Sequence, residues 1–201
     1  MLALSLCLTA GAQNAPDAGP KVSAKARQIH DSAIVIDTHA DTPQRFLDEG
    51  FDIGTSAGTG SIDLQKAGAG NLGAEFFSIW VEPGYFDGHY AQRAMDLIDS
   101  VYEQARRHPK QMAMAYSADD IVRARTGPNK KFAALLGLEG GHAIENDIHV
   151  LRDFYRLGVR YMTLTWSKTP TSGRTPPAIS TTRKCNTTTG SHRSASRWWK
   201  R

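Results

Sequence analysis

Residues 34–42 read IVIDTHADT, an apolar run that ends in an imidazole flanked by carboxylates. In a strand, residues two apart point to the same side, so His39 and Asp41 project together from its C-terminal end. An imidazole beside a carboxylate suits a divalent metal such as zinc. His-x-Asp alone is a weak motif, and a helix-capping Asp next to a packed His is the plain alternative. A second run, LLGLEGGH at 135–142, also carries an apolar strand into an acid, Glu139, and two glycines then let the backbone turn tightly. A buried acid at a strand end needs a compensating charge, which a metal would supply, and a carboxylate can bridge two ions. A Glu that merely caps the next helix explains the same residues.

The elements that must position these groups alternate between β-like and helical patterns across 24–167, which favours a parallel α/β sheet or barrel over a sandwich. AIVID (33–37) is a continuous apolar run, expected to be a strand buried on both faces. AEFFSIWVEP (74–83) is a second strand, closed by Pro83. Residues 90–108 place Ala94, Leu97, Ile98, Val101 and Tyr102 at helical spacing, and Pro109 stops the helix. MAMAYS is a brief strand, and SADDIVRARTG opens on a Ser cap and ends on Gly. FAALLGLEGG (132–141) is a long buried strand, 149–159 a helix and 160–167 a further strand. His39, Asp41 and Glu139 are expected to converge at the C-terminal ends of neighbouring parallel strands, where active sites sit in barrels of this kind.

Other titratable groups need no chemistry. His89, His108 and His149 flank helices and read as solvated or capping residues, and His142 as a packing residue. Asp119 and Asp120 open a helix, where the macrodipole favours acids.

The stretches VIDTHADTP, GSIDLQKAGAGNLGAEFFSIWV and LLGLEGGHAIENDIHVLRDFYRLGVRYMTLTWS, in that order, resemble the membrane dipeptidase (renal dipeptidase) family of zinc peptidases over roughly 28–167. The resemblance implies the N-terminal part of a (β/α)8 TIM-like barrel of the metal-dependent hydrolase type. It also implies two zinc ions, with His39 and Asp41 as ligands of one and Glu139 as the catalytic carboxylate bridging both. In that family the bridging hydroxide attacks the peptide bond of a dipeptide whose two ends are read by the pocket. Trp166 departs from the mammalian pattern, in which a substrate-contacting His stands there, and this bears on substrate preference. The second zinc's two histidines and a proton-transferring Asp belong to later strands that this chain lacks; His192 has no strand around it to make it a ligand. The leading expectation is therefore a truncated, inactive metallodipeptidase. The alternatives are another metal-dependent amidohydrolase acting on a lactone or a different amide, or a non-catalytic secreted binding protein.

Length agrees with a partial barrel, since 201 residues suffice for one domain but fall short of the ~250 of a complete one. The net charge of +4 suggests nucleic acid until it is located: residues 169–201 hold seven Lys/Arg and no Asp/Glu, and removing those seven leaves −3. A nucleic-acid partner is thereby disfavoured. No apolar run reaches the roughly 18 residues of a transmembrane helix. Residues 1–23 read as a signal-peptide remnant, MLALSLCLTAGA, with a Pro/Gly/Ala linker, which points to a secreted or periplasmic protein. Cys7 and Cys185 both lie outside the apparent fold, so no disulfide framework is expected, and nothing in the sequence sets the oligomeric state.

Beyond residue 167 the grammar changes. Thirteen of the 33 residues from Thr169 are Ser or Thr, and Ile179 is the one large aliphatic. Such a segment cannot offset its ordering entropy by burial. Shifted by one nucleotide, its codons permit WADSSGDIDDPKVQHHNGLTPFGKQVVEE, which resembles the family's continuation. Residues 168–201 are therefore read as out of frame, which leaves an unpaired strand edge near 160–166.

Overall fold

The computed structural model describes residues 22–165 apart from 57 and 59; the leader-like segment 1–21, Trp166 and the Ser/Thr-rich stretch from 168 lie outside the described residues. The chain divides into two compact units between residues 33 and 34. In the first, helix α1 (Ala24–Ser32) starts where the Ser23 hydroxyl accepts from the Ala26 N–H.

The second unit is an α/β layer built on one parallel sheet. In chain order it holds β1 (Val35–Ala40), α2 (Thr42–Asp48), α3 (Leu64–Ala69), β2 (Leu72–Trp80), α4 (Tyr90–Arg107) and β3 (Met112–Met114). Then follow α5 (Ala118–Thr126), β4 (Phe132–Glu139), a short 3-10 turn (Gly141–Ile144), α6 (Ile148–Arg156) and β5 (Val159–Met162). The strand order is β1-β2-β4-β3, with β5 also on β4. β3 pairs with the N-terminal residues of β4 and β5 with its C-terminal half.

Period-two alternation sorts β2 and β4 onto two faces. Phe77 and Ile79 register with Leu136 and Leu138 and face the main core. Into that core α4 sends Ala94, Leu97, Ile98 and Val101, the spacing of a single helical stripe. The other face carries Ala74, Ala133 and Leu135 against Ile121 of α5 and, further along the strands, the pairs Ser78–Gly137 and Trp80–Glu139. Glu139 thus ends the second face, away from the main core.

β1 departs from expectation in extent and in cover. It continues through Thr38 and His39 to Ala40, and Ile34 and Ile36 are 37% and 42% exposed rather than buried. The cause is its place in the sheet: among the described residues β1 pairs with β2 alone, so it lacks the flanking strand that covers a central one. β5 is likewise shorter than 160–167. Its ladder stops at Met162, and the next residue, Thr163, turns its hydroxyl to accept from the Gly140 N–H at 2.7 Å. Among the described residues β5 pairs with β4 alone, and Trp166, at the end of the expected edge, lies outside them. No described helix is long and apolar enough to cross a membrane.

Candidate metal centre

β1 delivers His39 through an irregularity. Asp37 registers with Glu75 and Ala40 with Phe77, so β1 holds one more residue than β2 over this interval. An extra residue of this kind re-aims a side chain, and it is held here by the Asp37 carboxylate, which accepts from the His39 N–H at 3.1 Å. Asp41 follows at the N-cap position of α2. An Asp there ordinarily accepts from the first helical turn, yet this carboxylate makes no capping bond. Its Oδ1 lies 3.4 Å from His39 Nε2 instead.

The placement of Asp41 depends on how α2 is docked. Phe46 meets Phe77 edge-on at 5.7 Å between ring centres. The Gln44 amide donates to the Trp80 carbonyl at 2.7 Å, and Arg93 of α4 donates to Gln44 and to Asp48. The helix start is thereby tied to the C-terminal end of β2.

Glu139 closes β4. Its Oε2 lies 3.0 Å from His39 Nε2 and accepts from the buried Ser78 hydroxyl at 2.9 Å. Gly140 then turns the chain at φ 93°, a conformation that favours glycine, and no side chain caps the 3-10 turn that follows. Neither Asp41 nor Glu139 therefore spends its carboxylate on a helix end. The ligand atoms of His39, Asp41 and Glu139 all lie within 4.8 Å of one another, and this is the one such group among the described residues. Neighbouring strands were expected to supply the three, but β2 lies between β1 and β4. The separation is closed by the reach of the His39 side chain.

Sequence reasoning missed three further residues. Ser78 holds Glu139. Tyr161 places its phenol 3.2 Å from His39 Nδ1 and donates to the Thr38 carbonyl at 3.1 Å. Burial first, and then the charges of Glu139, Glu75, Asp41 and Asp37, raise the Tyr161 phenol above its ordinary value, so it stays protonated at neutral pH. Glu75, on the core-facing side of β2, is buried with no hydrogen-bond partner for either oxygen. Burial, helped by the charge of Asp37, pushes its carboxyl up to about 8. An acid inside the apolar run AEFFSIW was its visible signal; nothing local marks the other two.

The remaining candidates sort as structure. His142 is buried, with Nε2 2.7 Å from the Val81 carbonyl oxygen and its ring edge-on to Tyr90. Asp120 accepts from the Tyr116 N–H and the Ser117 hydroxyl at the start of α5. His89 and His149 are exposed. His108 stands at the C-cap of α4, one of the two expected places, and its imidazole is not solvated: Nε2 lies 2.5 Å from Asp52 Oδ1 and the side chain is only 20% exposed.

One imidazole and two carboxylates form a donor set that fits a single divalent ion such as zinc, with a coordination position left over. A cleft of about 690 Å³ reaches the group from one side, lined by His39, Asp41, Arg45, Lys66 and Trp80 among others.

Residues 23–190 match the family model described as membrane dipeptidase, peptidase family M19. The rat protein Dipeptidase 3 is 31% identical over 155 residues, 74% of this chain and 30% of the relative. Dipeptidase tcpJ of Claviceps purpurea is 38% identical over 121 residues, 54% of this chain and 27% of the relative. The chain thus spans less than a third of either relative. Among solved structures, the probable dipeptidase PvdM of Pseudomonas aeruginosa superposes with a TM-score of 0.62 at 23% identity, over 72% of this chain and 37% of that one. A Rhodobacter sphaeroides metallo peptidase, solved with a phosphinate mimic of the dipeptide L-Ala-D-Ala, gives 0.58 at 20% identity, over 67% and 46%. Both share the fold.

Proposed function

This chain belongs to the membrane dipeptidase family, peptidase family M19, and from that premise we propose that it carries the N-terminal part of a zinc-dependent dipeptidase site. The observation that carries the reading is the convergence of His39, Asp41 and Glu139, with both carboxylates turned away from the helix ends they could have capped. In this reading His39 and Asp41 hold one zinc, and Glu139 is the catalytic carboxylate able to bridge to a second. Bound zinc would supply Lewis acidity toward the peptide carbonyl and lower the pKa of water. Ser78 keeps Glu139 Oε2 turned toward His39, and the α2 docking contacts keep Asp41 in place. The substrate in this reading is a dipeptide, whose phosphinate mimic the Rhodobacter sphaeroides neighbour binds.

The second zinc has no imidazole ligands among the described residues, so we expect the 201-residue chain to bind zinc without appreciable dipeptidase activity. Residues 168–201 are proposed to be out of frame. The family match runs on to residue 190, which makes a direct test necessary: resequencing codons 168–172 should reveal a one-nucleotide shift. Residues 1–23 support a secreted or periplasmic location, which fractionation of a tagged chain would check. The functional test is hydrolysis of an L-dipeptide panel with added zinc, comparing this chain, a frame-corrected chain and Glu139→Ala in the corrected background. Turnover only by the corrected chain, abolished by Glu139→Ala, supports the reading. Turnover of lactones alone would favour a different amidohydrolase, and zinc uptake without any turnover by the corrected chain a binding protein. Robust, Glu139-dependent turnover by the 201-residue chain would overturn the expectation that it is inactive.

A further inference from the structure

We propose that Tyr161 is a positioning residue for this centre: its phenol accepts from His39 Nδ1–H, leaving Nε2 to meet a divalent ion held together with Asp41 and Glu139. The inference rests on the metal reading above, and it follows from counting protons. A phenol has one to give. When the Thr38 carbonyl, 3.1 Å from the Tyr161 oxygen and able only to accept, takes that proton, none is left to give to His39. The phenol oxygen then meets His39 Nδ1 at 3.2 Å with lone pairs alone, and the contact is a hydrogen bond only if Nδ1 carries hydrogen. In a neutral imidazole the other nitrogen is then an acceptor. That nitrogen, Nε2, lies 3.0 Å from Glu139 and 3.4 Å from Asp41, carboxylates that only accept, so its lone pair is matched there by a divalent ion standing among the three, whereas a direct hydrogen bond to them would need hydrogen on Nε2. Ligating imidazoles characteristically donate their second N–H to an oxygen that fixes the tautomer, and here the oxygen is phenolic.

The surrounding structure is shaped to keep the ring in place. Tyr161 registers with Gly137 across β5 and β4, and a Cβ built on Gly137 would lie only 2.0 Å from Tyr161 Cζ. A glycine within a long strand often marks such a close approach. The ring also packs on Phe76 of β2, 5.2 Å between centres. Tyr161 therefore reaches β1 past β4 and β2, and it grips through two groups a strand that pairs with β2 alone among the described residues.

The test titrates zinc chloride into the full 201-residue chain against a chromophoric chelator, for the wild type and Tyr161→Phe, and records the His39 ring 15N shifts in the metal-free protein. Tyr161→Phe keeps the ring on Gly137 and Phe76, so a merely structural role would leave zinc binding unchanged. The expected result is a zinc dissociation constant raised by about 10–100-fold, with His39 Nδ1 protonated in the wild type and less so in the variant, where the carboxylates favour hydrogen on Nε2. Equal zinc affinity in the two proteins, or a wild-type His39 unprotonated at Nδ1, would overturn the inference. Should Tyr161→Phe fail to fold, the wild-type 15N shifts decide alone. A wild type that takes up no zinc would sink the metal reading, and the same shifts would still judge the role of Tyr161 separately.

Discussion

Replacing Glu75 by Gln should change how the stability of the fold responds to pH. Glu75 is 1% exposed, stands beside Asp37 in register and has no hydrogen-bond partner for either side-chain oxygen. Burial, and then the charge of Asp37, carry its carboxyl from the ordinary 4.5 to about 8. Between those values the folded chain holds a proton that the unfolded chain has released. Stability from this group is therefore full below 4.5 and is lost as pH rises toward 8. The loss runs at up to about 1.4 kcal/mol per pH unit, so going from pH 5 to pH 8 costs on the order of 3 kcal/mol. Gln does not titrate. Its unpaired amide adds a penalty of about 1–3 kcal/mol, but the same one at every pH. Urea unfolding of both proteins at pH 5, 6, 7 and 8 should give curves that converge or cross, with the variant gaining on the wild type as pH rises. Parallel curves would refute the reasoning, since they would mean that Glu75 finds a partner or reaches water when ionised.

Four other outcomes are expected. Asp52 is pushed up by burial, but the Gly54 N–H, His108 and Arg107 outweigh that and hold it below its usual value. Its contribution is therefore present above about pH 3.8 and lost as pH falls through the folded value, and His108→Ala should move acid unfolding to higher pH, by less than about 1 kcal/mol for a pair this exposed. Gly137→Ala should cost about 1–3 kcal/mol in denaturant unfolding, because the added methyl must displace the Tyr161 ring. Leu97→Ala, emptying a fully buried site under α4, should cost about 2–5 kcal/mol by the same measurement. Ser78→Ala leaves Glu139 Oε2 without its hydroxyl donor and should weaken zinc binding about tenfold in chelator competition.

Much of the framework is local and was legible. The stripe Ala94, Leu97, Ile98 and Val101 fixes the buried face of α4 because residues three and four apart share a side of a helix. Ser117 opens α5 by accepting from the Asp120 N–H, as a Ser before an acidic first turn is expected to do. The unbroken run through β4 marked a strand covered on both faces, and it is buried from Phe132 to Leu138. The membership in the dipeptidase family and the identity of the three candidate ligands were legible for a related reason: the residues stand together in short stretches that survive without reference to the rest of the chain.

Whatever depends on register between distant segments was not. The same AIVID run that reads as a buried strand is exposed, since cover depends on which strands lie beside it and not on its own residues. Asp41 read equally well as a cap or a ligand; the docking of α2 onto β2 and α4 turned its carboxylate toward His39. Tyr161 and His39 are 122 residues apart, and their contact exists only because Gly137 leaves room for a ring on the strand between them. Residue types and local periodicity thus determined which groups could do chemistry and which elements carry them. The distances among those groups and the unrelieved burial of Glu75 were decided by tertiary structure, because electrostatic and hydrogen-bond energies depend on ångström separations that no one-dimensional pattern specifies.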